Sequence, residues 1–72
     1  MTMLKVIEVL AESDTSFDDA VQNAVTQAAQ SVRNVKSVYV KDMTATVDGD
    51  RVTSYRINAK ITFLLEDGTP QE

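Results

Sequence analysis

The chain of 72 residues contains no cysteine, no histidine and no tryptophan, and it has only two glycines and one proline. Without cysteine it forms no disulfide and no thiolate metal site, and without histidine it lacks the commonest transition-metal ligand and the commonest general base. A domain this small buries a modest fraction of its surface, and disulfides, metals or oligomerisation usually stabilise such domains. Self-association is therefore the remaining general route to a stable fold.

Positive charge is also scarce, since seven Lys and Arg residues face eleven Asp and Glu residues, for a net charge of −4. This balance argues against nucleic acid or an anionic membrane surface as a main partner. The apolar run at residues 3–10 is interrupted by charges, is too short to span a bilayer and lacks a signal-peptide cleavage pattern. We therefore expect a cytoplasmic protein with one domain over residues 1–72 and a mobile tail at residues 67–72.

The first half of the chain predicts one strand followed by one helix. Residues 3–10 form a short run rich in β-formers, and a polar loop follows. Ser16 is the best N-cap, and Asp19 stands at the capping-box position, with Asp in place of the usual Glu or Gln. Residues 17–33 have an alanine-rich apolar stripe at helical period, and Asn34 suits a left-handed C-terminus.

The second half predicts a hairpin of two long strands. Within the first of them, residues 35–47, the apolar positions change parity between Val40 and Met43. Because side chains alternate strictly along a strand, this change predicts a β-bulge or a kink near Lys41–Asp42. Residues 48–50 (Asp-Gly-Asp) predict the hairpin turn, because Gly49 is free to adopt a positive φ. A calcium loop is disfavoured, since these residues lack its ligand spacing.

The last strand, over residues 54–65, is the clearest element of the sequence. Its apolar residues alternate with a polar set that includes Arg56, Asn58 and Lys60. The strand is expected to return between the other two after a right-handed crossover. The expected fold is therefore α+β, in β-α-β-β order, with a three-stranded antiparallel sheet wrapped on one helix and its other face uncovered.

No catalytic pattern is present. One helix on a three-stranded sheet offers no deep cleft, and the acidic residues are interpreted as a solvated surface, so an enzyme is not expected. Arg56 and Lys60 point the same way from the last strand. Arg56 has two interpretations that stay open: it binds a planar or phosphorylated ligand at a subunit interface, or it forms an intersubunit salt bridge.

Six segments of the chain follow one another in an order and spacing that resemble one protein family: Lys5–Val9, Ser13–Phe17, Asp19–Ala24, Ser31–Val35, Tyr39–Asp42 and Tyr55–Glu66. Through them the chain resembles the dodecins over residues 4 to about 67, in order and spacing rather than in one short motif. The dodecins are hollow homododecamers, and their best-known members hold flavins in pairs at subunit interfaces and buffer them without catalysis.

In those dodecins a Trp on the second strand stacks on the flavin ring and a Gln on the third strand hydrogen-bonds to it. The resemblance puts Ser37 at the Trp position and Arg56 at the Gln position. A serine offers almost no stacking area, which disfavours flavin binding of the usual kind. The resemblance thus implies a dodecameric small-ligand or ion storage protein with Ser37 and Arg56 in its ligand pocket.

Two other functions stay open. One is a flavin-buffering dodecin in which Arg56 or Tyr39 replaces the usual groups, and the other is a purely structural shell. A divalent cation such as calcium or magnesium is a further candidate ligand, held where carboxylates of several subunits meet on a symmetry axis. The sequence assigns no residues to such a metal site.

Overall fold

The computed structural model describes residues 2–65. It contains four elements in the predicted β-α-β-β order: β1 (Met3–Ser13), α1 (Phe17–Ala29), β2 (Val35–Asp48) and β3 (Arg51–Leu65). The tail predicted at residues 67–72 lies outside the described part of the chain. Within residues 2–65, no helix combines the length and the apolarity that a membrane crossing needs.

The strand order is β1-β3-β2, and both pairings are antiparallel, so the predicted position of the last strand between the other two is confirmed. β1 pairs with β3 along its whole length, from Met3 opposite Leu65 to Ser13 opposite Tyr55. β1 is longer than the predicted strand, which ended at Leu10. The central place of β3 explains why its alternation is the clearest in the sequence, because its side chains have neighbours on both sides.

The helix covers one face of the sheet through an alanine stripe. Small side chains let the helix axis approach the sheet closely, and the larger groups of the core come from β3. Phe17 closes one end of this layer by packing edge-to-face on Tyr55, with ring centroids 5.0 Å apart. The buried hydrophobic residues are Ala20, Ala24, Ala28, Ile57, Ala59, Ile61 and Phe63.

The helix begins as predicted, but only one of the two hydrogen bonds of a capping box forms between Ser16 and Asp19. Ser16 is the N-cap, and its hydroxyl accepts a hydrogen bond of 3.0 Å from the Asp19 backbone N–H. The Asp19 carboxylate accepts from the Ser13 hydroxyl at 2.7 Å, while the Ser16 N–H donates to Ser13 Oγ at 3.3 Å. Asp has one methylene fewer than the Glu of a full capping box, and Ser13 bridges the gap.

The predicted helix end at residue 33 is wrong, because α1 ends at Ala29 with Gln30 as its C-cap. The Ser31 N–H and the Val32 N–H both donate to the Ala28 carbonyl, which tightens the chain as it leaves the helix. Asn34 does adopt the left-handed conformation expected of it, with φ 62°, but it lies in the link to β2 rather than at the helix terminus.

The predicted bulge in β2 is confirmed. Val40 lies opposite Ala59 and Asp42 opposite Asn58, so Lys41 is the extra residue. The bulge keeps Val40 and Met43 on the same face of the sheet in spite of their different parity. Gly49 adopts φ 67° in the turn between β2 and β3, as the hairpin prediction required.

Candidate binding face of the sheet

The face of the sheet that points away from α1 is the candidate site, and it is called the outer face below. Its members follow from the register of the two strand pairings and the alternation of side chains. Within residues 2–65 no element packs over this face. Its residues are Leu4, Val6, Glu8, Leu10 and Glu12 from β1, Ser37, Tyr39, Asp42 and Thr44 from β2, and Arg56, Asn58, Lys60, Thr62 and Leu64 from β3.

The β1 margin of the outer face is apolar and exposed. Leu4 and Val6 each expose about half of their surface, and Leu10 exposes 71%. Glu8 and Glu12 lie on either side of Leu10, so apolar and acidic side chains share one line along the strand. Exposed large aliphatic groups in a row are typical of a contact surface.

The centre of the outer face is charged, and its best-formed contact joins neighbouring strands. Arg56 lies opposite Glu12, and its Nε and Nη2 donate to the same carboxylate oxygen, Glu12 Oε2, at 2.9 and 2.6 Å. Both side chains are about half exposed, at 47% and 49%. A pair this exposed contributes roughly 0–1 kcal/mol to folding. A looser pair joins Lys41 Nζ to Glu8 Oε2 at 3.8 Å.

A polar atom without a partner lies among these charges. Asn58 Oδ1 is buried and accepts no hydrogen bond from the described residues. Asn58 stands between Leu10 on β1 and Asp42 on β2. A buried oxygen in this state costs about 1–3 kcal/mol unless a further donor reaches it.

The structure places Ser37 and Arg56 on the same face but does not bring them together. Ser37 lies opposite Thr62 on β3, six positions along the strand from Arg56. At about 3.3 Å per residue the two backbone positions are roughly 20 Å apart. One chain therefore cannot place both side chains around one small ligand.

Tyr39 lies between these two positions on the outer face. It is opposite Lys60, two residues along β2 from Ser37, and its side chain is 64% exposed. Its flat ring is thus accessible in one chain. This is the property that the alternative flavin interpretation required of it.

Sequence reasoning missed Glu12 as a residue of the candidate site. The predicted first strand ended at Leu10, which left Glu12 in a loop, whereas β1 continues to Ser13 and places Glu12 beside Arg56. The available signal was the even spacing of Glu8 and Glu12, because Glu12 continues the two-residue period of the strand. Glu12 also accepts a hydrogen bond of 3.2 Å at its backbone carbonyl from Asn23 Nδ2 on the helix.

A groove of about 600 Å³ runs on the other side of β1, between this edge strand and α1. Ile7, Val9 and Ala24 form part of its apolar wall, and Asn23 and Gln27 lie on its polar rim. Within residues 2–65 no three acidic side chains come close enough to hold a metal ion. In the described part of one chain, the chemistry is thus that of a charged and apolar binding surface.

Comparison with known proteins identifies the family. The family model described as dodecin matches residues 3–66 of this chain. The chain belongs to the dodecin family. The resemblance seen in the sequence is thereby confirmed.

Several dodecins align over nearly the whole chain. The calcium dodecin of Mycobacterium tuberculosis is 30% identical over 71 residues, which cover 99% of this chain and 100% of that protein. Its crystal structure, described as calcium-chelating with a novel calcium-binding site, has a TM-score of 0.75 at 29% identity and covers 94% of this chain and 97% of that one. The dodecin of Streptomyces coelicolor has a TM-score of 0.85 at 30% identity, with 93% of this chain and 96% of that one covered.

A dodecin of T. thermophilus, in a variant form, has a TM-score of 0.87 at 24% identity and covers 93% of this chain and all of that one. This likeness concerns the fold. Together the comparisons support the binding of a small ligand or an ion as the general role of the family to which this chain belongs, and they include a member described as binding calcium.

Proposed function

We propose that this protein is a non-enzymatic homododecameric shell of the dodecin type that binds and stores a small ligand or an ion. The observation that carries the proposal is the uncovered outer face, where exposed Leu10 adjoins the Glu12–Arg56 pair. A subunit neighbour covers the apolar margin, and the charged centre is left to bind.

The small core supports the assembly. Within residues 2–65, four of the seven buried hydrophobic residues are alanines, and Ile57 and Ile61 are the large side chains that are fully buried. The apolar area that one chain removes from water is therefore small for its length. Size-exclusion chromatography with light scattering tests this step. The expected mass is twelve times the 7.9 kDa of one chain, and a stable monomer or dimer would refute the shell.

The proposed ligand pocket contains Ser37 and Arg56 from different subunits. The separation of these residues along β3 supports this arrangement, since one chain cannot supply both to the same ligand. With Ser37 where a stacking group would be needed, the pocket offers a flat ring little surface for stacking at this position. Titration calorimetry of the oligomer with flavins, coenzyme A and divalent cations tests it. If none of these ligands produces a heat of binding, the protein would be a purely structural shell.

A flavin-buffering role is the second candidate, and exposed Tyr39 is the observation that favours it. Its ring offers a stacking surface near the Ser37 position, and stacking supplies much of the binding energy of a flat ligand. A yellow preparation, or flavin fluorescence quenched on mixing, supports this role. Tyr39→Leu should abolish the quenching, whereas Tyr39→Phe should retain it.

Cation storage is the third form of the proposal. The calcium dodecin relative motivates it, and the acidic residues of the outer face are suited to a hard cation such as calcium or magnesium. The described part of one chain holds no cluster of three acids, and in this proposal the site is built from carboxylates of several subunits. Calcium binding that disappears when the oligomer dissociates supports this form, and binding retained by the separated subunits contradicts it.

A further inference from the structure

The side chains of Glu12 and Arg56 form a closed unit on the outer face. They are direct neighbours in the β1–β3 pairing, and two guanidinium nitrogens, Nε and Nη2, converge on one carboxylate oxygen at 2.9 and 2.6 Å. On the other side of Arg56 the neighbour is Thr44, which carries no charge. Glu12 is therefore the acid that neutralises Arg56 in the described structure.

This pairing changes what Arg56 offers a ligand. A free guanidinium attracts phosphate and carboxylate groups through its charge and its planar fork of donors. Here one edge of the fork is occupied, while Nη1 and the carboxylate oxygen Oε1 of Glu12 form no hydrogen bond to the described residues. The pair thus presents a donor and an acceptor without net charge, which suits a neutral polar group.

The weakness of the pair as a stabilising contact favours a role in recognition. Both side chains are about half exposed, and exposed pairs contribute little to folding. The Glu8–Lys41 pair on the same face is looser, at 3.8 Å with one contact. Two short hydrogen bonds to one oxygen instead fix the orientation of the guanidinium plane.

We propose that Glu12 is a specificity-determining residue of the ligand site: it orients Arg56 and cancels its charge, so that the site accepts ligands that are neutral at this end and discriminates against phosphorylated ones. The inference rests on the proposed binding function of the outer face. It adds a residue outside the Ser37 and Arg56 positions and a chemical class for the ligand.

Glu12→Gln tests this inference, since the amide keeps the size of the side chain and removes its charge. Riboflavin and riboflavin 5′-phosphate are the probes, because they differ by one phosphate group. In Glu12→Gln the affinity for the phosphate form should rise by about tenfold relative to riboflavin. This is the effect of one charge-assisted hydrogen bond from Arg56 to the phosphate group. The gain should shrink in high salt. It should vanish in Glu12→Gln/Arg56→Gln.

Glu8→Gln is the matched control. It changes the net charge by the same amount on the same face and the same strand, but it leaves Arg56 paired with Glu12. An equal gain in Glu8→Gln would show a general charge effect and would overturn the inference. An unchanged preference between the two flavins in Glu12→Gln would overturn it as well.

A second probe separates this inference from the proposed function. If neither flavin binds to any variant, flavin storage fails, and calorimetric titration with inorganic pyrophosphate still reports on the charge of Arg56. Pyrophosphate should bind to Glu12→Gln and not to the unmodified protein or to Glu8→Gln. Equal pyrophosphate binding by all three proteins would refute the masking of Arg56 by Glu12. Circular dichroism and light scattering establish that each variant keeps its fold and assembly.

Discussion

The Ser13 hydroxyl donates a hydrogen bond of 2.7 Å to the Asp19 carboxylate and so joins the last residue of β1 to the first turn of α1. The same oxygen accepts from the backbone N–H groups of Thr15 and Ser16 at 2.9 and 3.3 Å. One buried hydroxyl, on a residue only 7% exposed, thereby organises the whole strand-to-helix loop.

Ser13→Ala should lower the free energy of unfolding by about 1–3 kcal/mol, because it leaves two backbone donors and a carboxylate without this partner. Urea denaturation at fixed protein concentration measures the change. Thr15→Ala is the control, since the Thr15 hydroxyl donates only a long 3.3 Å bond to exposed Asp14. Equal losses in the two variants would show that the Ser13 hydroxyl has no special role.

Asn34 connects the helix to β2 in a left-handed conformation, with φ 62°. Its carbonyl accepts a hydrogen bond of 3.0 Å from the Leu64 N–H, so this conformation attaches the link to the sheet. Asn34→Ala should cost about 1–2 kcal/mol in thermal or urea unfolding because of the left-handed backbone. Asn34→Gly should stay within about 0.5 kcal/mol of the unmodified protein. A larger loss in the glycine variant would point to the Asn side chain instead.

Ala20 lies at the contact between helix and sheet and is fully buried. Ala20→Leu should destabilise the fold by about 1–3 kcal/mol or more, because the larger side chain moves the helix away from β3. Ala29→Leu, at an exposed helix position, is the control and should change stability by less than about 0.5 kcal/mol. A lowered unfolding midpoint in both variants alike would argue against close helix packing as the cause.

Leu10 is the most exposed of the apolar residues on the outer face. Leu10→Glu should weaken the assembly, since it puts a charge where a neighbouring subunit is proposed to pack, and the mass from light scattering should fall. Gln22→Glu adds the same charge at an exposed position of α1 and should leave the mass unchanged. An intact oligomer with Leu10→Glu would exclude the β1 margin from the subunit contacts.

Local signals in the chain predicted most of the fold. The alternation of residues 54–65 predicted the central strand, the change of parity around Lys41 predicted the bulge, and Ser16 predicted the start of the helix. These features depend on a few neighbouring residues and on fixed periodicities. The helix end was wrong because residues 30–33 continue the helical pattern locally, while the chain must turn to bring β2 alongside β3.

The candidate site was predicted less completely than the fold. Arg56 was interpreted either as a ligand-binding residue or as part of an intersubunit salt bridge, and both stay predictions. Within one chain the structure pairs it with Glu12. Whether Ser37 and Arg56 share a ligand pocket stays a prediction.

By itself, the sequence determined the order of the elements and the face of β3 that is buried, since both follow from periodicity. Only the tertiary structure decided that Glu12 neutralises Arg56 and that Ser37 lies roughly 20 Å from it along the sheet. Both relationships depend on strand register, which joins residues distant in the chain through backbone hydrogen bonds that no local pattern encodes.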